Sequence, residues 1–275
     1  MSLDAAQIKR LLDAHYRAST APEIFHHDTL DSTNDEAARL LSDPAIAAPL
    51  VVIARRQTKG RGRLNRPWHS EPNGNLYISF AFRPRVPPPR LRLLTLWAGV
   101  NLCDFLATHA RTPVPPAIKW PNDILFGARK AAGLLTEARA AFGNIDTLIL
   151  GLGLNLAPPA AGWPPELAPT ATSLAEQTNA EITDTTTFTA ALIARILAAY
   201  DQLLTTPAAA TATLSALWQK HDHLRGQTIT ILSGNDRITG IASGIDAEGS
   251  LILKLPDTST QKIRAGEVTI EKNFK

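Results

Sequence analysis

Apolar residues change their spacing several times along this chain, and each spacing predicts a different element. Residues 4–17 place Ile8, Leu11, Leu12 and Tyr16 on one side, the 3–4 spacing of an amphipathic helix. The polar run Asp31-Ser32-Thr33-Asn34-Asp35-Glu36 then leads into Ala37-Ala38-Arg39-Leu40-Leu41. Thr33 and Glu36 have capping-box spacing, which predicts a helix start there. Residues 50–54 form a continuous, largely β-branched apolar run, the pattern of a buried strand. Residues 76–82 alternate and stop short of Pro84, which predicts a second strand. A proline-rich connector at 84–89 precedes helical periodicity over 90–109. Residues 117–126 read as one strand broken by Pro121. Residues 134–138 and 147–156 read as two more, joined by a turn at Gly143-Asn144. Loop follows at 158–169, then a long amphipathic helix at 187–204 and another helix at 212–218.

From about Arg225 the texture changes. Short strands at 227–232, 236–245, 251–255, 261–264 and 268–270 are separated by Gly and Asn/Asp turns, with Asp246-Ala247-Glu248-Gly249-Ser250 the clearest. Strands this short and this closely spaced predict a small β-barrel. The expected division is a larger unit, 1–220, and a smaller one, 221–275. The expected class is α+β: a sheet flanked by helices, followed by the small barrel.

Composition narrows the class without naming a function. At 275 residues and 44% hydrophobic, the chain can bury a sizeable core. Lys and Arg number 28 against 25 Asp and Glu, and a net charge of +3 does not argue for a nucleic-acid binder. A single cysteine, Cys103, excludes an intrachain disulfide and reads as a buried thiol in an apolar helix. No apolar run is expected to reach the roughly 18–20 residues of a membrane span. Residues 1–10 carry charge and no signal-peptide block. The expectation is a cytoplasmic protein without a membrane partner.

The densest chemistry lies in the polar loop at 55–72. Its centre reads Gln57-Thr58-Lys59-Gly60-Arg61-Gly62-Arg63-Leu64-Asn65-Arg66-Pro67-Trp68. Glycine lets backbone N–H groups approach an anion. Arginine supplies forked donors for phosphate or carboxylate, and tryptophan a flat face for a base. Taken alone, the run is equally a solvated basic loop. It is not a Walker loop, because no Gly-Lys-Ser/Thr follows. Nor is Gly151-Leu152-Gly153-Leu154-Asn155-Leu156 a dinucleotide fingerprint, since Leu156 stands where the third glycine belongs. A second segment, Lys119-Trp120-Pro121-Asn122-Asp123, gathers a lysine, an amide and a carboxylate where a strand meets proline; by itself it reads as a polar turn. A third, Lys130-Ala131-Ala132-Gly133, suits either a lysine beside a buried anion or an exposed turn lysine.

In this order and at these intervals, Gln-x-x-Gly-Arg-Gly-Arg, Lys-Trp-Pro-Asn-Asp and Lys-x-x-Gly resemble the biotin–protein ligase family. The Asp31-Ser32-Thr33-Asn34 start and the Gly151 to Asn155 strand end match it too, so the resemblance spans roughly residues 25–270. It implies a mixed β-sheet flanked by helices, like class II aminoacyl-tRNA synthetases, followed by an SH3-like barrel. It implies two steps: biotin and ATP, with Mg²⁺, give biotinyl-5′-AMP and pyrophosphate, and a lysine of a biotin carboxyl carrier protein then displaces AMP. Ser32, Thr33, Asn34 and Gln57 would face biotin, with Gly60 and Arg61 beside it. Arg63, Arg66 and Trp68 would lie on a loop that orders over the adenylate. Trp120 and Asn122 would line the site, and Gly133, Gly151 and Asn155 would pack along the ligand. Lys130, Arg63 and Asp123 would be the catalytic residues, Lys130 at the biotin carboxylate and the α-phosphate, Asp123 orienting the incoming lysine. Ser32 or Thr33 could equally be a helix cap, and no metal ligands are identifiable. The family's loop usually has glycine where this chain has Asn65; asparagine tolerates the left-handed backbone better than most residues.

Two neighbouring functions remain. Lipoate–protein ligases share the architecture, but the Gly-Arg-Gly-Arg and Lys-Trp-Pro-Asn-Asp pair favours biotin. Some biotin ligases are also repressors with an N-terminal helix-turn-helix domain. Only about 30 residues precede Ser32 here, so the resemblance is to the monofunctional type and no DNA binding is expected. A homodimer is compatible with the family.

Overall fold

The computed structural model describes residues 3–16, 21–71, 74–110, 112–178, 182, 184–233, 236–264 and 266–270. Helix α1 (Ala5–His15) is capped by Asp4, whose carboxylate accepts from Gln7 N at 2.9 Å. Strand β1 (Glu23–Leu30) and helix α2 (Thr33–Ser42) follow. The cap of α2 is Ser32, not Thr33: the Ser32 hydroxyl accepts from Asp35 N, and Thr33 is already helical. The capping-box spacing was therefore one residue off, because the Thr33 hydroxyl is engaged elsewhere.

Next come β2 (Leu50–Gln57), β3 (Asn75–Phe82), a short 3₁₀ turn at Pro88–Leu91, and α3 (Leu94–His109). The expected broken strand at 117–126 is two strands, β4 (Pro116–Lys119) and β5 (Asp123–Phe126), paired antiparallel across Trp120-Pro121-Asn122. Proline carries no N–H for a ladder, so the chain reverses there instead of pausing. Strands β6 (Arg129–Ala141) and β7 (Asn144–Asn155) form a long hairpin through the expected turn, where Phe142 and Gly143 have positive φ. A single helical turn, α4 (Leu174–Gln177), precedes α5 (Thr185–Thr205) and α6 (Pro207–His221).

The first seven strands make one mixed sheet in the order β1-β2-β3-β7-β6-β5-β4, with only β1 and β2 parallel. Alternation assigns its two faces. Val51 and Ile53 of β2, Leu76, Ile78, Phe80 and Phe82 of β3, and Leu148, Leu150, Leu152 and Leu154 of β7 face the main core with α1, α3, α5 and α6. Leu50, Val52, Ala81 and Ile149 face α2. Strand β3 is buried at all eight positions because both of its faces are covered.

Two helical stretches, Pro88–His109 and Thr185–Thr205, have the length and composition of a membrane span, contrary to the sequence expectation. Both are spent on the core. Helix α3 is apolar nearly all round because it lies between sheet and helices. Its Trp97 indole donates to Ala199 O of α5 at 2.7 Å. Asp104 ties the helices together through Arg195 at 3.1 Å and Lys220 at 3.0 Å.

After His221 the expected five strands appear: β8 (Thr228–Ser233), β9 (Asp236–Ile245), β10 (Leu251–Lys254), β11 (Thr260–Ile263) and β12 (Glu267–Ile270). They form an antiparallel sheet in the order β11-β10-β9-β8-β12; among the described residues no ladder joins β11 to β12. This unit is not loosely tethered. Ile229, Ile231, Leu251 and Leu253 are fully buried in the same apolar cluster as the main core. Trp120 Nε1 donates to Gly249 O at 3.1 Å, and His223 N to Ile118 O at 3.0 Å.

Candidate functional site

Helix α2 covers only part of its face of the large sheet. Beyond it, β6 and β7 present Gly133, Gly151 and Gly153 where apolar side chains would otherwise stand. The result is a cavity of about 920 Å³ floored by bare backbone, within the size range of small-molecule sites. Its walls come from the start of α2, the loop at 58–70, the β4–β5 turn and the loop at 163–171.

Trp68 lies across this floor. A Cβ at Gly153 would stand 2.7–3.0 Å from the indole, and one at Gly133 would stand 2.9 Å from it, so only glycine admits the ring. The Lys130 ammonium sits 5.0 Å from the centre of the ring and 2.5 Å from Asp123 Oδ1. Asp123 is on β5 and Lys130 on β6, and a bulge between Ile124 and Leu125 shifts the register that brings them together. Main-chain bonds fix Lys130 further: its N–H donates to Thr170 O at 2.6 Å, and its carbonyl accepts from Thr172 N at 2.9 Å. The Trp68 Nε1–H is buried and has no acceptor among the described residues.

At the other end, Gln57 Oε1 accepts from Thr33 N at 2.8 Å and Thr33 Oγ1 at 3.1 Å, while Gln57 N donates to Ser70 Oγ at 2.8 Å. Asn34 is sunk beneath them. Its amide donates to Glu137 Oε2 at 2.6 Å and accepts from Ser79 Oγ at 2.6 Å, and it packs so closely on Gly151 that no Cβ fits there. Asn155 closes the end of β7, donating to Thr172 O at 2.9 Å.

The basic loop is folded into a tight hairpin. Trp68 N donates to Gly60 O at 2.9 Å and Gly62 N to Arg66 O at 2.8 Å. Leu64 and Asn65, at its tip, both have φ of 56°. Asn65 thus adopts the left-handed conformation anticipated for the position where glycine is usual. Arg61 turns inward to make a bidentate pair with Asp35, at 2.5 and 2.7 Å, and stands 3.5 Å from Glu137. Arg63 turns the other way: its guanidinium lies 3.5 Å from Asn122 Oδ1 and donates to Gly266 O at 3.2 Å. It therefore links the loop, the β4–β5 turn and the C-terminal unit.

The structure brings Ser32, Thr33, Asn34, Gln57, Arg61, Arg63, Trp68, Trp120, Asn122, Asp123, Lys130, Gly133, Gly151 and Asn155 to one cavity. Gly60 does not line it but packs on Gln57 and Trp68 at its edge. Asp35, Glu137, Ser70 and Gly153 escaped the sequence reading. Asp35 looked like an ordinary first-turn acid, and Glu137 stands 76 residues beyond the arginine it meets. Gly153, spaced two residues from Gly151 on one strand face, is the one that strand periodicity could have found.

A sequence model of the biotin/lipoate A/B protein ligase family matches residues 27–155, and one of the biotin protein ligase C terminal domain matches 225–270. The chain is 33% identical over 244 residues to a biotin–[acetyl-CoA-carboxylase] ligase of Paracoccus denitrificans, covering 86% of this chain and 96% of that one. It is 32% identical over 248 residues to the bifunctional ligase/repressor BirA of Bacillus subtilis, covering 90% and 74%. Among solved structures it is similar to the biotin protein ligase from Aquifex aeolicus in complex with biotin and ATP, with a TM-score of 0.71, 26% identity, and coverage of 91% of this chain and 99% of that one.

Proposed function

We infer, from the premise that this chain belongs to the biotin protein ligase family, how its own residues divide the work of that reaction. The chain is an ATP-dependent biotin–protein ligase, which makes biotinyl-5′-AMP and then transfers the biotinyl group to protein. The observation that carries the residue assignment is the glycine-floored cavity, with a lysine–carboxylate pair at one end and an amide–hydroxyl pair at the other.

The Thr33–Gln57 end suits the ureido ring, which needs both donors and acceptors. Gln57 is preset by Thr33 and Ser70, so little ordering remains on binding. Trp68 covers the hydrocarbon part, and its buried N–H needs an acceptor that a ligand oxygen supplies. Lys130 neutralises the biotin carboxylate and the α-phosphate as they approach, the moment at which like charges would otherwise repel. Asp123 holds Lys130 in place beforehand and orients the incoming amine afterwards. Asn34 and Arg61 are positioning residues: both bind Glu137, and Arg61 also secures Asp35, which fixes the start of α2 against the sheet. Arg63 holds the loop down over the adenylate, and Gly133, Gly151 and Asn155 shape the floor. Among the described residues no group of three or more His, Cys, Asp or Glu could hold a metal. Mg²⁺ would come bound to the ATP phosphates.

The acceptor is a lysine on a biotin carboxyl carrier protein domain. Residues 1–220 bind biotin and ATP, and residues 221–275 brace the wall of the site through Gly249, whose carbonyl accepts from Trp120, and Gly266, whose carbonyl accepts from Arg63. The test is ATP–pyrophosphate exchange with biotin and with lipoate in parallel. Exchange dependent on biotin alone is expected. Exchange with lipoate and not biotin would overturn the assignment.

A further inference from the structure

A second cavity, of about 530 Å³, lies where the C-terminal unit meets the large sheet. Arg63, Trp120, Pro121 and Asn122 line both it and the main cavity, so the two spaces share a wall. Arg63, Arg92 and Arg264 line it from three separate segments, opposed by one carboxylate, Glu248. The partners of these arginines differ from those of the cations in the main cavity. There, Arg61 and Lys130 are each held by a carboxylate, Asp35 and Asp123. Arg92 and Arg264 are exposed and have no hydrogen-bond or ion-pair partner among the described residues. An excess of uncommitted guanidinium groups in a recess is a site for a multiply charged oxyanion.

We propose that this second cavity is the departure site for pyrophosphate, with Arg92 and Arg264 as the residues that take hold of it. The proposal rests on the ligase reading of the main cavity. In adenylate formation a biotin carboxylate oxygen bonds to the α-phosphorus. The bond from that phosphorus to the bridging oxygen breaks, and this oxygen keeps the electron pair and leaves as part of pyrophosphate. The product is an anion formed beside Arg63, and Arg63 borders a neighbouring space with two more cations. Movement into that space separates pyrophosphate from the adenylate and so opposes the reverse reaction.

The experiment compares the full chain with Arg92→Gln, Arg264→Gln and the double variant, using inorganic pyrophosphate as the probe. Three quantities are read: inhibition of adenylate synthesis by added pyrophosphate, direct pyrophosphate binding by calorimetry, and biotin affinity. Each arginine substitution is expected to weaken pyrophosphate binding by about tenfold, a typical loss for a charge-assisted contact, while biotin affinity stays within about twofold. Glu248→Gln should act in the opposite direction and tighten pyrophosphate. Pyrophosphate inhibition within about twofold of the unmodified chain in the double variant overturns the proposal. So does a rise only in the KM for the carrier protein, which would make this cavity a carrier contact. If the unmodified chain forms no biotinyl-5′-AMP at all, the ligase reading itself falls, and this proposal falls with it.

Discussion

Lys130 and Asp123 meet at 2.5 Å across a bulge between neighbouring strands, so the cation at the cavity floor is held before any ligand arrives. Removing one partner leaves the other without compensation in a partly desolvated place. Lys130→Ala is therefore expected to weaken biotin binding and adenylate formation by about 2–5 kcal/mol, part of which is the cost of stranding Asp123. Calorimetric titration with biotin and a pyrophosphate-release assay measure both, and near-unchanged values would remove Lys130 from the mechanism.

Gly153→Ala puts a methyl group where the Trp68 ring now lies, 2.7–3.0 Å from three of its atoms. The ring must lift, which costs about 1–3 kcal/mol by the usual measure of overpacking. The loss should appear in ligand affinity, because Trp68 sits on a loop and can yield without unfolding the sheet. Melting temperature and biotin affinity measured side by side separate the two; a drop in melting temperature with unchanged affinity would contradict this placement.

Arg63→Gly deletes the contacts with Asn122 and Gly266 and adds backbone freedom to the loop. Adenylate retention should suffer more than adenylate synthesis. The variant, mixed with biotin, ATP and serum albumin, is expected to label albumin more than the unmodified chain does and to release biotinyl-5′-AMP faster. Equal release rates would assign Arg63 to carrier docking or solvation instead.

Stability should fall as the solution is acidified through the histidine range. Burial lowers His26, His221 and His223 below the ordinary histidine value of 6.5. The folded chain keeps these rings neutral, so below pH 6.5 the unfolded chain binds more protons and unfolding is favoured. The contribution is present above pH 6.5 and is lost as pH falls. His221 is 3% exposed, with Nδ1 on Pro116 O at 3.0 Å and Nε2 4.0 Å from Asp104 Oδ1 without a hydrogen bond; burial outweighs the opposing pull of that carboxylate. His221→Gln should flatten the slope of denaturation midpoint against pH between 7 and 5, and an unchanged slope would clear this residue.

Much of the fold was legible because burial here follows simple periods. The five short strands after residue 225 lie between turn residues, and each appears within a few positions of its expected place. Less legible were features decided by distant partners. Thr33 and Ser32 both suit a helix cap, and only Gln57, 24 residues on, draws the Thr33 hydroxyl away and leaves Ser32 the cap. Residues 117–126 read as one broken strand because nothing local shows that β4 and β5 pair with each other, although the Lys119 to Asp123 segment by itself read as the polar turn it is. In the site, the glycines and Lys130 stood out by their motifs. The inward turn of Arg61 did not, because an arginine in a glycine-rich loop looks the same whether it awaits a phosphate or already holds a carboxylate.

Arg63 binds the carbonyl of a residue 203 positions later in the chain. The ribosome makes the chain from its N-terminus, and domains fold in that order. The glycine-floored sheet can therefore assemble while the segment carrying Gly266 has yet to emerge. Until it does, the loop lacks its far anchor, which is thus among the last contacts the chain can make during its synthesis.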